Sequence, residues 1–115
     1  MEYLDHEVLD ELSGMLGEDL QPILDEFIAE LPGNLEALAG AVSSEDWTTA
    51  VHISHTIKGI AGNMGAVALS HVAADLEQAA RDASKADVAP LVATLEQVAH
   101  ASITAYTDAG FGASD

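Results

Sequence analysis

Apolar residues recur at spacings of three and four along almost the whole chain, the pattern of helices that bury one face. A short first helix is predicted over about Asp5 to Met15, with Leu4, Val8, Leu12 and Met15 on one side and Gly17 as its breaker. A second, from about Glu18 to Val42, carries the stripe Leu20, Leu24, Phe27, Leu31, Leu35, Leu38 and Val42. Pro32-Gly33 interrupts its composition, but the stripe keeps phase across the pair, which favours one kinked helix over two. Ser43-Ser44-Glu45-Asp46 supplies a turn and an N-cap. A third helix then runs from about Asp46 to Met64 and ends at Gly65, and a fourth from about Ala66 to Asp82. Asp87 is read as the cap of the last helix, which reaches about Tyr106 with Pro90 in its first turn, where proline costs little. Leu91, Leu95, Val98 and Ser102 line that helix, with Val92, Ala99 and Ile103 beside them. Four long amphipathic helices joined by short loops predict an all-α, antiparallel up-down four-helix bundle with a short extra N-terminal helix. The bundle is assigned to residues 1–109, and Gly110 to Asp115 reads as a flexible C-terminal tail.

Composition narrows the function. The 115 residues suit one domain, and 49% hydrophobic content is enough for a core. No apolar run approaches the roughly 18 residues of a membrane span. The acidic N-terminus (Glu2, Asp5, Glu7, Asp10) has the wrong charge for a signal peptide, so a cytoplasmic location is expected. Cysteine is absent, which removes disulfides and thiolate metal sites. Twenty acids face only Lys58, Arg81 and Lys85, for a formal net charge of -17. Such a surface repels nucleic acid and anionic lipid. With no apolar stripe left over, a monomer is expected.

Against this acidic background the segment Val51 to Gly65, VHISHTIKGIAGNMG, stands out. At about 100° per residue, Ala50, Ile53, Ile57, Ile60, Ala61 and Met64 gather on a core side. His55 falls opposite them, with Thr48, Val51, His52, Lys58, Gly59 and Gly62 around it. A solvent-facing histidine in mid-helix is thus flanked by the only base of the first eighty residues and by two glycines. Each glycine costs about 0.5–1 kcal/mol relative to alanine inside a helix. Gly59 and Gly62, one and two turns beyond His55, strip side chains from the surface beside the ring and open it to a macromolecule. Lys58, three residues after His55, shares its face and can neutralise a phosphoryl group on the imidazole.

His55-x-x-Lys58-Gly59, then Gly62, Asn63 and Gly65, then Leu69, Leu76 and Glu77, resemble the signature of histidine-containing phosphotransfer (HPt) domains of bacterial phosphorelays. The signature spans about Ser54 to Glu77, and the helix layout extends the likeness over nearly the whole chain. The resemblance implies that His55 is phosphorylated, on Nε2, that Lys58 assists electrostatically, and that Gly59 clears the docking surface, with Val51, His52 and Gly62 around it. It also implies that Glu77 hydrogen-bonds the imidazole, directly or through water. Spacing agrees: His55 precedes Gly65 by ten residues and Glu77 follows it by twelve. At about 1.5 Å per residue, both lie roughly 15–18 Å from the turn on antiparallel helices. Arg81, four residues after Glu77, offers that carboxylate an ordinary surface pairing instead.

The implied partners are response-regulator receiver domains and hybrid histidine kinases, the receiver bringing its own aspartate and Mg²⁺. The chain has no glycine-rich nucleotide loop, and it is expected to be a phosphotransfer intermediate and not an independent enzyme. Pro32-Gly33 is more disruptive than many members of the family show, and the -17 charge leaves little basic surface for steering a partner. Two other readings stay open: a non-phosphorylated helical adaptor, and a metal-binding bundle using His52, His55, Glu77 and His71. The second is weakened because no histidine has a Glu three residues before it, as di-metal carboxylate bundles require. His52 reads as a neighbour of the site, and His6, His71 and His100 as surface or partly buried residues.

Overall fold

The computed structural model describes residues 2–111. Five α-helices follow in order: α1 (His6–Leu16), α2 (Leu20–Ser43, entered through a 3₁₀ turn at Gly17–Asp19), α3 (Trp47–Asn63), α4 (Val67–Arg81) and α5 (Lys85–Tyr106). A π-type turn, Thr107–Phe111, closes the described chain. No strand occurs among the described residues. Helices α2 to α5 form the antiparallel bundle, with α4 packed between α3 and α5 and α2 closing against both of them.

The buried stripe of α2 is Leu20, Leu24, Phe27, Leu31, Leu38 and Val42, and the helix passes through Pro32 as one element. Pro32 is exposed, so its ring lies on the solvent side of the helix, where the loss of one intrahelical hydrogen bond bends the helix without ending it. From α3, Ala50, Ile57 and Ala61 enter the core, as do Leu69, Ala73 and Leu76 from α4 and Val88, Leu95 and Ala99 from α5. Two buried serines sit among them. Ser54 Oγ donates to the Ala50 carbonyl at 2.7 Å, and Ser102 Oγ to that of Val98 at 2.7 Å. Each hydroxyl is satisfied one turn back, so burial leaves no orphaned donor.

Several expectations are corrected. Helix α5 begins at Lys85, with Ser84 at the N-cap, and Asp87 lies inside the first turn, where it accepts from Ser84 Oγ at 2.9 Å. The cause is the tight reversal after α4. Ala83 takes φ 53°, and Ser84 N–H reaches back to the Ala79 carbonyl, so the next helix starts at once. Pro90 therefore falls in the second turn of α5 and is tolerated on its exposed side. Met15, assigned to the buried face of α1, is 77% exposed, and Leu9 takes its place in the core. Ile60, placed on the core side of α3, is 37% exposed and shares an open apolar groove with Ile23, Phe27 and Met64. The centre of the buried arc on α3 lies nearer Ser54 and Ala61, which turns Ile60 to the rim; some apolar surface is thus left over. Helical structure also continues past residue 109. Phe111 packs against the core, and its carbonyl accepts from Gln21 Nε2 at 2.9 Å. The remainder of the expected tail, residues 112–115, lies outside the described residues.

The α3–α4 corner is the most tightly specified turn. Gly65 has φ 76°, and a Cβ placed there would lie 3.3 Å from both the Asp5 carbonyl oxygen and Leu9 Cγ. Its own carbonyl accepts the Asp5 N–H at 2.8 Å, which docks the start of α1 on the corner. Next to it, the Tyr106 hydroxyl donates to the Met64 carbonyl, and the Tyr106 ring meets Phe27 edge-on at 6.4 Å. Gly65→Ala is expected to lower stability by at least about 1–2 kcal/mol, the cost of a left-handed non-glycine residue. Urea unfolding measures the loss, and hydrogen exchange should rise first in α1.

Candidate functional site

Helix α3 is anchored at its start by Asp46, whose carboxylate accepts from Thr49 N–H at 3.2 Å and Thr49 Oγ1 at 2.7 Å. Those bonds hold the Asp46 carboxyl below its ordinary pKa. Two turns on, His55 projects from mid-helix with its side chain 62% exposed. The Gly65 corner folds α4 back antiparallel and brings Glu77 level with it. Ser70 of α4 adds a cross-helix bond, donating to the Lys58 carbonyl at 2.9 Å.

Glu77 is a buried charge, with a side chain only 8% exposed. Three donors converge on it. His55 Nδ1 lies 3.2 Å from Oε2, Lys58 Nζ 2.9 Å from Oε1, and Arg81 2.7 Å from Oε2. The two readings of Glu77 are therefore not alternatives: it meets the imidazole and Arg81 at once. The Lys58 hydrogen bond, supported by Arg81 and His55 and opposed by burial, lowers the Glu77 pKa from 4.5 to about 2. An ionised carboxylate only accepts, so the facing Nδ1 carries the proton and the neutral ring keeps its lone pair on Nε2. Nε2 has no hydrogen-bond partner among the described residues.

This lowered pKa sets a pH dependence. Because it is lower folded than unfolded, the stability Glu77 contributes is complete above about pH 4.5 and is lost as pH falls toward about 2. Glu77→Gln is expected to flatten that part of the acid unfolding profile. Urea midpoints for both proteins between pH 5 and pH 2.5 test this; parallel declines would contradict it.

The other sequence-selected residues divide cleanly. Gly59 and Gly62 are exposed on the outer face. A Cβ at Gly59 meets nothing within 4 Å, so no packing among the described residues requires that glycine. At Gly62 a Cβ would touch Ser70 Oγ at 3.4 Å. Val51 is half-buried beside a shallow groove with Trp47, Thr48, Ala80 and Arg81. His52 is exposed and forms no side-chain hydrogen bond or ion pair among the described residues, and His6, His71 and His100 are exposed too. Nor do three His, Asp or Glu side chains come together in a metal-binding group among the described residues. Sequence reasoning gives Arg81 only a competing role and passes over Ser70; the i+4 spacing of Arg81 from Glu77 is the available signal. No helix among the described residues is long and apolar enough to cross a membrane.

The family model of the Hpt domain matches residues 22–105. The phosphorelay protein LuxU of Vibrio vulnificus, in two strains, is 31% identical over 107 residues, which is 92% of this chain and 93% of LuxU. The crystal structure of histidine-containing phosphotransfer protein B (HptB) from Pseudomonas aeruginosa superposes with a TM-score of 0.88 at 26% identity, over 92% of each chain. On this breadth of agreement, with a signature histidine in mid-helix, the chain belongs to the Hpt domain family.

Proposed function

We propose that the protein is a cytoplasmic phosphocarrier of a multistep phosphorelay, taking a phosphoryl group from a receiver-domain aspartate onto His55 Nε2 and passing it to another receiver. The observation that carries this reading is the exposed ring whose Nδ1 is held by a buried, ionised Glu77. The Nε2 lone pair attacks phosphorus as the aspartyl P–O bond breaks, and the bonding electrons leave with the aspartate carboxylate. The Nδ1 proton stays in place, so the ring gains positive charge and Glu77 offsets it. Return transfer reverses these steps. Phosphoryl transfer passes through a loose transition state, which leaves positioning and charge neutralisation as the main contributions. Lys58 supplies the cation on this side, and the receiver supplies the aspartate and Mg²⁺. Gly59 and Gly62 leave room for the receiver, with Val51 and His52 at the edge of the contact. The chain acts as substrate and intermediate, without a nucleotide site.

The test is incubation with a panel of phosphorylated receiver domains, followed by mapping of the phosphoresidue by mass spectrometry under alkaline conditions. Acid-labile phosphate on His55 is expected. Label on any other histidine would sink the assignment.

A further inference from the structure

Two of the three cationic side chains in a chain of net charge -17 meet on one carboxylate. Lys58 and Arg81 hold different oxygens of Glu77, Oε1 and Oε2. Lys58 reaches across from α3, while Arg81 sits one turn after Glu77 on the same helix. One cation would suffice to pair an acid, so the second needs a reason.

The need arises when a phosphoryl group is present. Lys58 Nζ is engaged on the Nδ1 side of the imidazole, where Glu77 sits, whereas the phosphoryl group forms on Nε2. The lysine must release Oε1 to neutralise the incoming charge. A buried carboxylate that loses its counter-ion pays a large desolvation penalty, and a phosphoryl group bringing about -1.5 to -2 charges nearby makes this worse. A second, permanent cation removes the conflict. Arginine suits that post: its guanidinium stays protonated, and the i+4 spacing keeps it within reach. Lysine, with a flexible stem and a compact charge, suits the mobile one.

We propose that Arg81 is a positioning residue for phosphoryl transfer: by retaining Glu77 it allows Lys58 to leave the carboxylate for the phosphoryl group on His55. This rests on the phosphocarrier reading above. Without Arg81, Lys58 stays bound to Glu77, and the phosphoryl group loses its cation although the lysine is still present.

The test measures the rate of transfer from a phosphorylated receiver in five proteins: the unaltered chain, Arg81→Gln, Arg81→Lys, Glu77→Gln and the double variant Arg81→Gln/Glu77→Gln. In the unaltered chain the rate with Arg81→Gln should fall about tenfold, the scale of one charge-assisted hydrogen bond. Arg81→Lys should recover most of it. In the Glu77→Gln background Lys58 has no charge to stay for, while the amide oxygen still accepts from Nδ1. There Arg81→Gln should change the rate less than twofold. An equal loss in both backgrounds would mean that Arg81 touches the phosphoryl group or the receiver directly, and would overturn the proposal. So would an unchanged rate with Arg81→Gln. Failure of the unaltered chain to accept phosphate, or transfer that survives His55→Gln, would instead overturn the phosphocarrier reading.

Discussion

His55→Gln is expected to abolish acid-labile phosphate uptake from a phosphorylated receiver while leaving helix content and thermal midpoint close to those of the unaltered protein. The fold should tolerate the change because the ring is 62% exposed and contributes nothing to the core. Glu77 keeps Lys58 and Arg81 as partners, so no buried charge is stranded. The chemistry should not tolerate it. An amide nitrogen has no free lone pair to offer phosphorus, and His52, one turn away, meets no carboxylate among the described residues that would fix its tautomer. Circular dichroism and a radiolabel transfer assay give the two readouts. Uptake that persists in this variant would end the assignment of His55.

Gly59→Leu is expected to move stability and activity in opposite directions. The position is an exposed helix interior, and a Cβ placed there meets nothing within 4 Å. Leucine there should stabilise the protein by about 0.5–1 kcal/mol through helix propensity alone. The same side chain occupies the surface one turn beyond His55, where the receiver must approach. Transfer should fall by about a hundredfold, equivalent to roughly 3 kcal/mol of lost interaction in the docked transition state. Urea unfolding and single-turnover transfer separate the two effects. A variant that is more stable and transfers normally would show that the bare surface has no part in docking.

The sequence is most legible where periodicity and chemistry act locally. The unbroken α2 follows from a stripe that holds phase through Pro32, and the outward His55 from its angle against Ala50, Ile57 and Ala61. The level match of His55 and Glu77 follows from counting residues on either side of Gly65. What stays hidden depends on tertiary setting. The start of α5 differs from expectation because a left-handed Ala83, in a reversal glycine usually supplies, carries no residue signal. Ile60 and Met15 differ because periodicity gives the direction of a buried arc and not its width, which depends on how far a neighbouring helix reaches. Ser54 looks polar in sequence and is buried because its hydroxyl bonds one turn back. The double cation on Glu77 needs α3 and α4 in register; only the Arg81 half of it can be read from spacing.

The α3–α4 corner has a topological consequence. Asp5 is bonded to Gly65 and Tyr106 to Met64, so the outermost parts of the bundle converge on adjacent residues of one turn. His55 lies about 14 Å farther along α3, at 1.5 Å per residue. From Asp5 to Tyr106 the backbone is in effect a nearly closed ring. A linker from Tyr106 to Asp5, with a new opening at the solvent-facing Ser44–Asp46 reversal, would leave the imidazole uncovered, so the helical array accommodates circular permutation.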